Sequence, residues 1–187
     1  KVTNLAIPQC NVGNGSSSIH VIHFDKDNQL WVGGSHGLCK INNIDPLDFS
    51  QPIAGELVTP FDNKNVTAIL STAHGKVFVG TRFDGGFIYD TSNYKVTPIL
   101  FRDKKSVSNN NEVKITSFIQ PSKNEVWMGL DGLGVLVLDA ETGKTIEHFQ
   151  HDPMLKHSIN FDYISALLVD TSGLIWIGTW GNGLNRF

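Results

Sequence analysis

The sequence predicts an all-β fold of β-propeller blades, four repeats of about 47–49 residues, each a four-stranded antiparallel sheet. The first observation behind this is a register. Trp31, Phe78, Trp127 and Trp176 are spaced 47, 49 and 49 residues apart, and a glycine stands two places after each, at Gly33, Gly80, Gly129 and Gly178. Turn formers lie three places before them (Asn28, Gly75, Asn124, Gly173), and a β-branched residue lies twelve places before (Ile19, Val66, Ile115, Ile164). Four matches at fixed offsets define an internal repeat. The second observation is that in 164–169 and 174–177 apolar or small residues occupy both parities, so both faces of these strands need covering. The third is that every unit has room for four strands. A four-stranded sheet sandwiched between copies of itself is a propeller blade.

Taken in order, residues 2–7 form a short extended candidate, and the Gly/Ser/Asn stretch 11–18 reads as loop. The first repeat predicts strands at 19–24, 30–33 and 38–41, with an Asx-type turn through Asp25 and Asp27; the glycine and distal Glu of a calcium loop are missing. Repeat two predicts 66–70, 76–80 and 86–89; repeat three, 115–119, 125–129 and 135–138. Outer fourth strands are supplied at 57–61, 96–101 and 145–149. The last repeat, 164–187, is a three-strand meander that stops before its outermost strand. Together the chain reads as one partial propeller domain over 1–187, with units at about 19–61, 66–101, 115–149 and 164–187.

In a blade stack each aromatic of the register packs against the neighbouring blade, and the glycine two residues on, on the same face, leaves room for a large neighbour. Burying an indole removes roughly 150–250 Å² from water, on the order of 4–6 kcal/mol. Trp176→Ala is therefore expected to destabilise by roughly 3–5 kcal/mol if its site is interior.

Composition narrows the partners. The chain has 187 residues, 40% apolar and 18% charged, with a net charge of −3. A pI near 6.1 gives no general attraction to nucleic acid or anionic membrane. No apolar run approaches the roughly 18 residues that would span a bilayer. The chain opens on Lys1 with neither initiator Met nor signal peptide, and so reads as a processed or excised segment. Cys10 and Cys39 are able to make one disulfide in an oxidising compartment, while the simpler reading is two unpaired core thiols. The seven histidines show no metal-ligand order. His20 and His23, an odd number of residues apart, are expected on opposite faces of their strand, as polar surface groups.

No nucleophile elbow, Walker loop, CxxC or HExxH occurs, and neither a metal nor a cofactor is expected. The glycine clusters Gly85-Gly86, Gly132-Leu133-Gly134 and Gly181-Asn182-Gly183 read as turns between second and third strands. Asp84, Asp131 and Asp162 are carboxylates for which a turn role suffices. If the chain holds a ligand, the loops after successive second strands should gather it, and these present His36, Arg82, Phe83, Asp131, Trp180 and Asn182. This mixture of aromatic platforms and hydrogen-bonding groups suits a sugar.

The segment 174–187, LIWIGTWGNGLNRF, preceded by ALLVDTSG, closely resembles the two-component regulator propeller repeat, as does the spacer 149–160 with its Phe149, Asp152-Pro153 and Ser158-Ile159-Asn160. The resemblance covers all four units and is weakest in the second and third, where Phe78 replaces Trp, and Ser71-Thr72 and Gln120-Pro121 replace the acidic turn entry. It implies a non-catalytic extracytoplasmic sensor module of a bacterial receptor, periplasmic, attached to the membrane only through a transmembrane segment these residues lack. Its output would be a histidine kinase or diguanylate cyclase, and its ligand a small molecule such as an oligosaccharide. Propellers of this family usually close with about seven blades, so four units imply apolar blade faces covered by self-association or by the remainder of the propeller. A carbohydrate-active enzyme, with two carboxylates about 5–9.5 Å apart in a cleft, and a protein-interaction scaffold are the alternatives.

Overall fold

The computed structural model describes residue 10 and residues 18–42, 55–101 and 113–187. These form four antiparallel sheets, each a meander in sequence order. The first contains β1 (Ile19–Phe24), β2 (Leu30–Gly34), β3 (Gly37–Ile41) and β4 (Gly55–Leu57). The second contains β5 (Val66–Ser71), β6 (Lys76–Thr81), β7 (Gly86–Asp90) and β8 (Lys95–Pro98), and the third β9 (Ile115–Ser122), β10 (Glu125–Leu130), β11 (Gly134–Asp139) and β12 (Thr145–Phe149). The fourth is three-stranded: β13 (Ile164–Val169), β14 (Ile175–Thr179) and β15 (Gly183–Arg186). These are propeller blades. The first strands stack side by side, β1 on β5, β5 on β9 and β9 on β13, and so lie innermost.

Two outer strands depart from expectation. The first blade's fourth strand covers Gly55–Leu57, and 59–61 wind into a 3-10 turn that contains Pro60. The second blade's ends at Pro98 rather than at 101. Proline has no N–H to donate to a ladder, so extended pairing gives way near it. Phe61 and Phe101 are buried beyond these strands, filling the seams between blades. The expected strand at 2–7 lies outside the described residues, as does most of the 11–18 loop.

The apolar cores sit between blades. Trp31 packs with Ile69, Val77 and Tyr89 of the second blade, Phe78 with Phe118 of the third at 5.9 Å between ring centroids, and Trp127 with Ile175 and Phe187 of the fourth. All three aromatics are buried, as the repeat requires. The glycine two places on performs its expected task at each seam. A Cβ on Gly33 would stand 2.5 Å from Val66 Cγ1, one on Gly80 2.6 Å from Ile115 Cβ, and one on Gly129 2.9 Å from Ile164 Cγ2. The β-branched residue that opens each following blade is a knob, and the glycine is its hole.

A β-bulge at the second residue of each first strand is not visible in the sequence. Register slips at His20, Thr67, Thr116 and Ser165. The bulge turns these side chains toward the next blade. Thr67 Oγ1 donates to Ile115 O at 2.6 Å, and His20 Nδ1 lies 3.1 Å from Val66 O. The buried Thr116 Oγ1 repeats the position without finding an acceptor among the described residues. His20 and His23 therefore do not point to opposite faces. Both reach the second blade, where His23 Nε2 accepts from Ser71 N–H at 3.0 Å.

Cys10 and Cys39 are joined in a disulfide, correcting the reading as free thiols. Their Cα atoms are 5.6 Å apart, a normal bridging span. Cys39, on β3, shares a small outer core with Cys10, Val32 and Ile41.

Trp176 also departs from expectation. It is half-buried, unlike Trp31 and Trp127, because among the described residues no blade follows the fourth. Leu168 is exposed on the same face, so the covering inferred from both parities of 164–169 holds only toward the third blade.

Candidate functional site

The six candidate residues lie at one end of the blades. One backbone bond recurs there: Ser35 N–H donates to Ser18 O at 2.9 Å, Arg82 N–H to Asn65 O at 2.8 Å, Asp131 N–H to Lys114 O at 3.0 Å and Trp180 N–H to Tyr163 O at 2.9 Å. Each ties the turn after a second strand to the residue before a first strand, so His36, Arg82, Phe83, Asp131, Trp180 and Asn182 share a rim.

Their environments differ. Phe83 and Trp180 are each 63% exposed. The Arg82 guanidinium stacks 5.4 Å from the Phe83 ring centroid. His36 Nδ1 lies 3.0 Å from Ser35 Oγ. Asn182 is occupied: its Nδ2 donates to Asn160 O at 3.2 Å, and its carbonyl accepts from Asn160 Nδ2. Asn160 also accepts from Asn185 Nδ2 at 2.8 Å, so these asparagines fasten the spacer to the last hairpin. Asp84 pairs with Lys64 at 2.9 Å, and Asp162 Oδ1 accepts from His151 N–H at 2.6 Å.

The structure adds a residue that the sequence reading missed. Tyr163 forms an isolated antiparallel bridge with Asp131, packs over Gly132 and receives the Trp180 N–H. It is 48% exposed and lies 5.2 Å from Phe161 between ring centroids. Asp131, Tyr163 and Trp180 thus adjoin through their backbones at the seam of the third and fourth blades. The available signal was position: Tyr163 directly precedes the β-branched opener, in the slot that holds Ser18, Asn65 and Lys114 in the other blades.

A second surface stands apart from the rim. On the open face of the fourth blade, Ala166, Leu167, Leu168, Trp176, Gly178 and Leu184 line an apolar cleft of about 440 Å³. Among the described residues no helix is long and apolar enough to cross a membrane, and no group of three or more His, Cys, Asp or Glu gathers to hold a metal ion.

The four stacked four- and three-stranded meanders define a β-propeller segment. Residues 158–181 match the family described as two component regulator propeller, so the fourth unit carries that repeat. No curated protein matches the sequence. Among solved structures, the chain is similar to the extracellular domain of the putative hybrid two component system BT4673 from B. thetaiotaomicron, with 23% identity over 90% of this chain and 21% of that one, at a TM-score of 0.69. It is also similar to PorZ, a bacterial surface component of the type-IX secretion system of Porphyromonas gingivalis, with 16% identity over 91% of this chain and 26% of that one (TM-score 0.70). The computationally designed Ika4 protein is similar over 100% of this chain and 98% of its own, at 16% identity and a TM-score of 0.63. The chain spans about a fifth of the BT4673 domain.

Proposed function

We propose that this chain is part of the extracytoplasmic, ligand-sensing propeller of a bacterial transmembrane receptor, that it binds a small ligand such as an oligosaccharide, and that it passes the signal to a cytoplasmic output domain without catalysing a reaction. The observation that carries this is the two component regulator propeller match in the fourth unit. The similarity to an extracellular domain of a putative hybrid two component system supports it, and so does the Cys10–Cys39 disulfide, a bond that persists in oxidising compartments such as the periplasm.

Ligand binding falls to the rim. Trp180 and Tyr163 offer ring faces to the apolar face of a sugar, Asp131 accepts from its hydroxyls, and Arg82 beside Phe83 donates to them. Titrating a panel of bacterial and plant glycans into the protein by calorimetry tests the reading. The expected result is saturable binding without turnover, weakened at least tenfold by Trp180→Ala combined with Asp131→Asn. Binding unchanged by those substitutions removes the rim, and glycan cleavage removes the non-catalytic assignment.

A further inference from the structure

The three seams between blades are not fastened alike. Between the first and second blades, His20 Nδ1 donates to Val66 O at 3.1 Å, His23 Nε2 accepts from Ser71 N–H at 3.0 Å and Lys26 Nζ donates to Ala73 O at 3.0 Å. Between the second and third, Thr67 Oγ1 donates to Ile115 O at 2.6 Å and Lys76 pairs with Glu141 at 3.4 Å. Among the described residues, no hydrogen bond or ion pair joins a strand of the third blade to a strand of the fourth. The knob also seats less deeply there. A Cβ on Gly129 would stand 2.9 Å from Ile164 Cγ2, against 2.5 Å from Val66 at Gly33 and 2.6 Å from Ile115 at Gly80. Ser117 occupies the place that Ala68 holds in the second blade, and its Oγ, with Thr116 Oγ1, crowds the hole at 2.8 and 2.9 Å. Both hydroxyls are buried without partners among the described residues, so Thr116 does not make to Ile164 O the bond that Thr67 makes to Ile115 O.

The polar ties that do cross this seam gather at the rim, where Asp131 bridges Tyr163 and Gly134 N–H donates to Asp162 O at 2.7 Å. Along the rest, only apolar packing of Ile119, Trp127 and Val135 against Ile164, Leu167 and Ile175 holds the two blades. We propose that the seam between the third and fourth blades is the joint of this module, a hinge whose pin is the rim at Asp131 and Tyr163. Its leaves part more readily than the other seams because no polar tie must break. Resting on the rim reading above, a ligand that grips Asp131 on one blade and Trp180 on the other reaches both at a single hinge angle. It therefore shifts the joint toward that angle through its difference in affinity, and binding becomes a movement of one blade against the next.

Hydrogen exchange on the whole chain, read by mass spectrometry of its peptides, tests the joint without a ligand. The first and fourth blades each have one described neighbour, so residues 19–24 are the control for 164–169. Relative to intrinsic rates, 164–169 are expected to exchange about tenfold faster than 19–24. Ser117→Ala reproduces the Thr-Ala pair of the second blade and removes a buried, unpaired hydroxyl. It is expected to slow 164–169 about tenfold and to leave 66–71 unchanged. Equal exchange in 19–24 and 164–169, or a Ser117→Ala variant with 164–169 unchanged, overturns the joint. A glycan that binds should slow 164–169 about threefold more than 66–71. Binding that slows both alike uncouples the joint from the rim and leaves the rim reading standing. A glycan panel without a binder removes the rim reading, and the ligand-free exchange then decides the joint alone.

Discussion

Trp176 donates its indole Nε1–H to Oδ2 of Asp170 at 2.8 Å across the hairpin that joins β13 to β14, and Trp31 makes the same bond to Asp25 at 2.9 Å. The acid stands six residues before the aromatic in both blades. Its other oxygen accepts the turn's backbone N–H groups, from Ser172 and Leu174 in one blade and from Asp27 and Gln29 in the other. The aspartate at the turn entry is therefore the acceptor for the register indole, fully buried at Trp31 and half-buried at Trp176. The second blade has Thr72 there, and its Phe78 has no N–H to satisfy. The third has Pro121 beneath a retained Trp127, whose Nε1 is buried without a partner among the described residues.

This mismatch gives the first prediction. Pro121→Asp should supply the missing acceptor and raise stability by about 1 kcal/mol, while Asp25→Ala should lower it by about 1–3 kcal/mol by stranding the Trp31 indole. Chemical denaturation of the two variants checks both signs. A destabilised Pro121→Asp variant would show that the indole is satisfied in another way.

Acid should loosen the same turn. Hydrogen bonds from Ser172, then Trp176, pull the Asp170 carboxyl from 3.8 down to about 2. A carboxylate depressed on folding contributes stability that is complete above the unfolded value and is lost as pH falls through the folded one. The stability this carboxylate contributes is expected to fall between about pH 4 and about pH 2, and Asp170→Asn should flatten that part of a stability–pH curve. His23 acts at higher pH. Burial holds its pKa below 6.5, against a smaller opposing pull from Asp25. Its contribution is present above 6.5 and is lost as pH falls through the lowered value, when protonation takes Nε2 from the Ser71 N–H. The hydrogen-exchange protection of the Ser71 amide, relative to its intrinsic rate at each pH, should fall as pH drops through that lowered value, and His23→Gln should remove that dependence.

The disulfide closes a loop spanning 29 residues, and chain entropy puts its worth at about 3–4 kcal/mol. Reductant, or Cys39→Ser, should lower the melting temperature by several degrees, with the loss centred on the first blade. A melt unchanged by reductant would mean that the reduced chain retains the same constraint.

The register aromatics should separate by position. Trp127→Ala, in a closed seam against Phe149 and Phe187, is expected to cost about 3–5 kcal/mol. Trp176→Ala, on the open face, should cost clearly less in the single chain. Equal losses would mean that the fourth blade's face is covered in solution.

Much of the fold was legible because a blade is a local object. Strand, turn and strand follow within a few residues, so the period of 47–49 residues and the fixed offsets around Trp31, Phe78, Trp127 and Trp176 located the inner strands to within a residue or two, except that β9 runs three residues further, to Ser122. Left-handed backbone at Asn28, Gly75 and Gly173 shows why these residues stood at the turn position; Asn124, in the tighter third hairpin, does not adopt it. The outer strands of the first two blades were placed less well, since their limits depend on where Phe61 and Phe101 drop into a seam, whereas the third, at 145–149, stands as expected.

The candidate site was legible only as a set of loops. Chain order located the rim, but it did not show that Asn182 is consumed by Asn160 or that Tyr163 sits between Asp131 and Trp180. Those are contacts across many residues, decided by how turns meet. The repeat, its glycine holes and its β-branched knobs are written in the order of residues, because each needs one side chain of a given shape at a fixed offset. Which holes are filled, that Cys10 meets Cys39, and that His20 and His23 reach the same neighbour are decided in three dimensions, by the bulge that turns each first strand and by the stacking of one blade on the next.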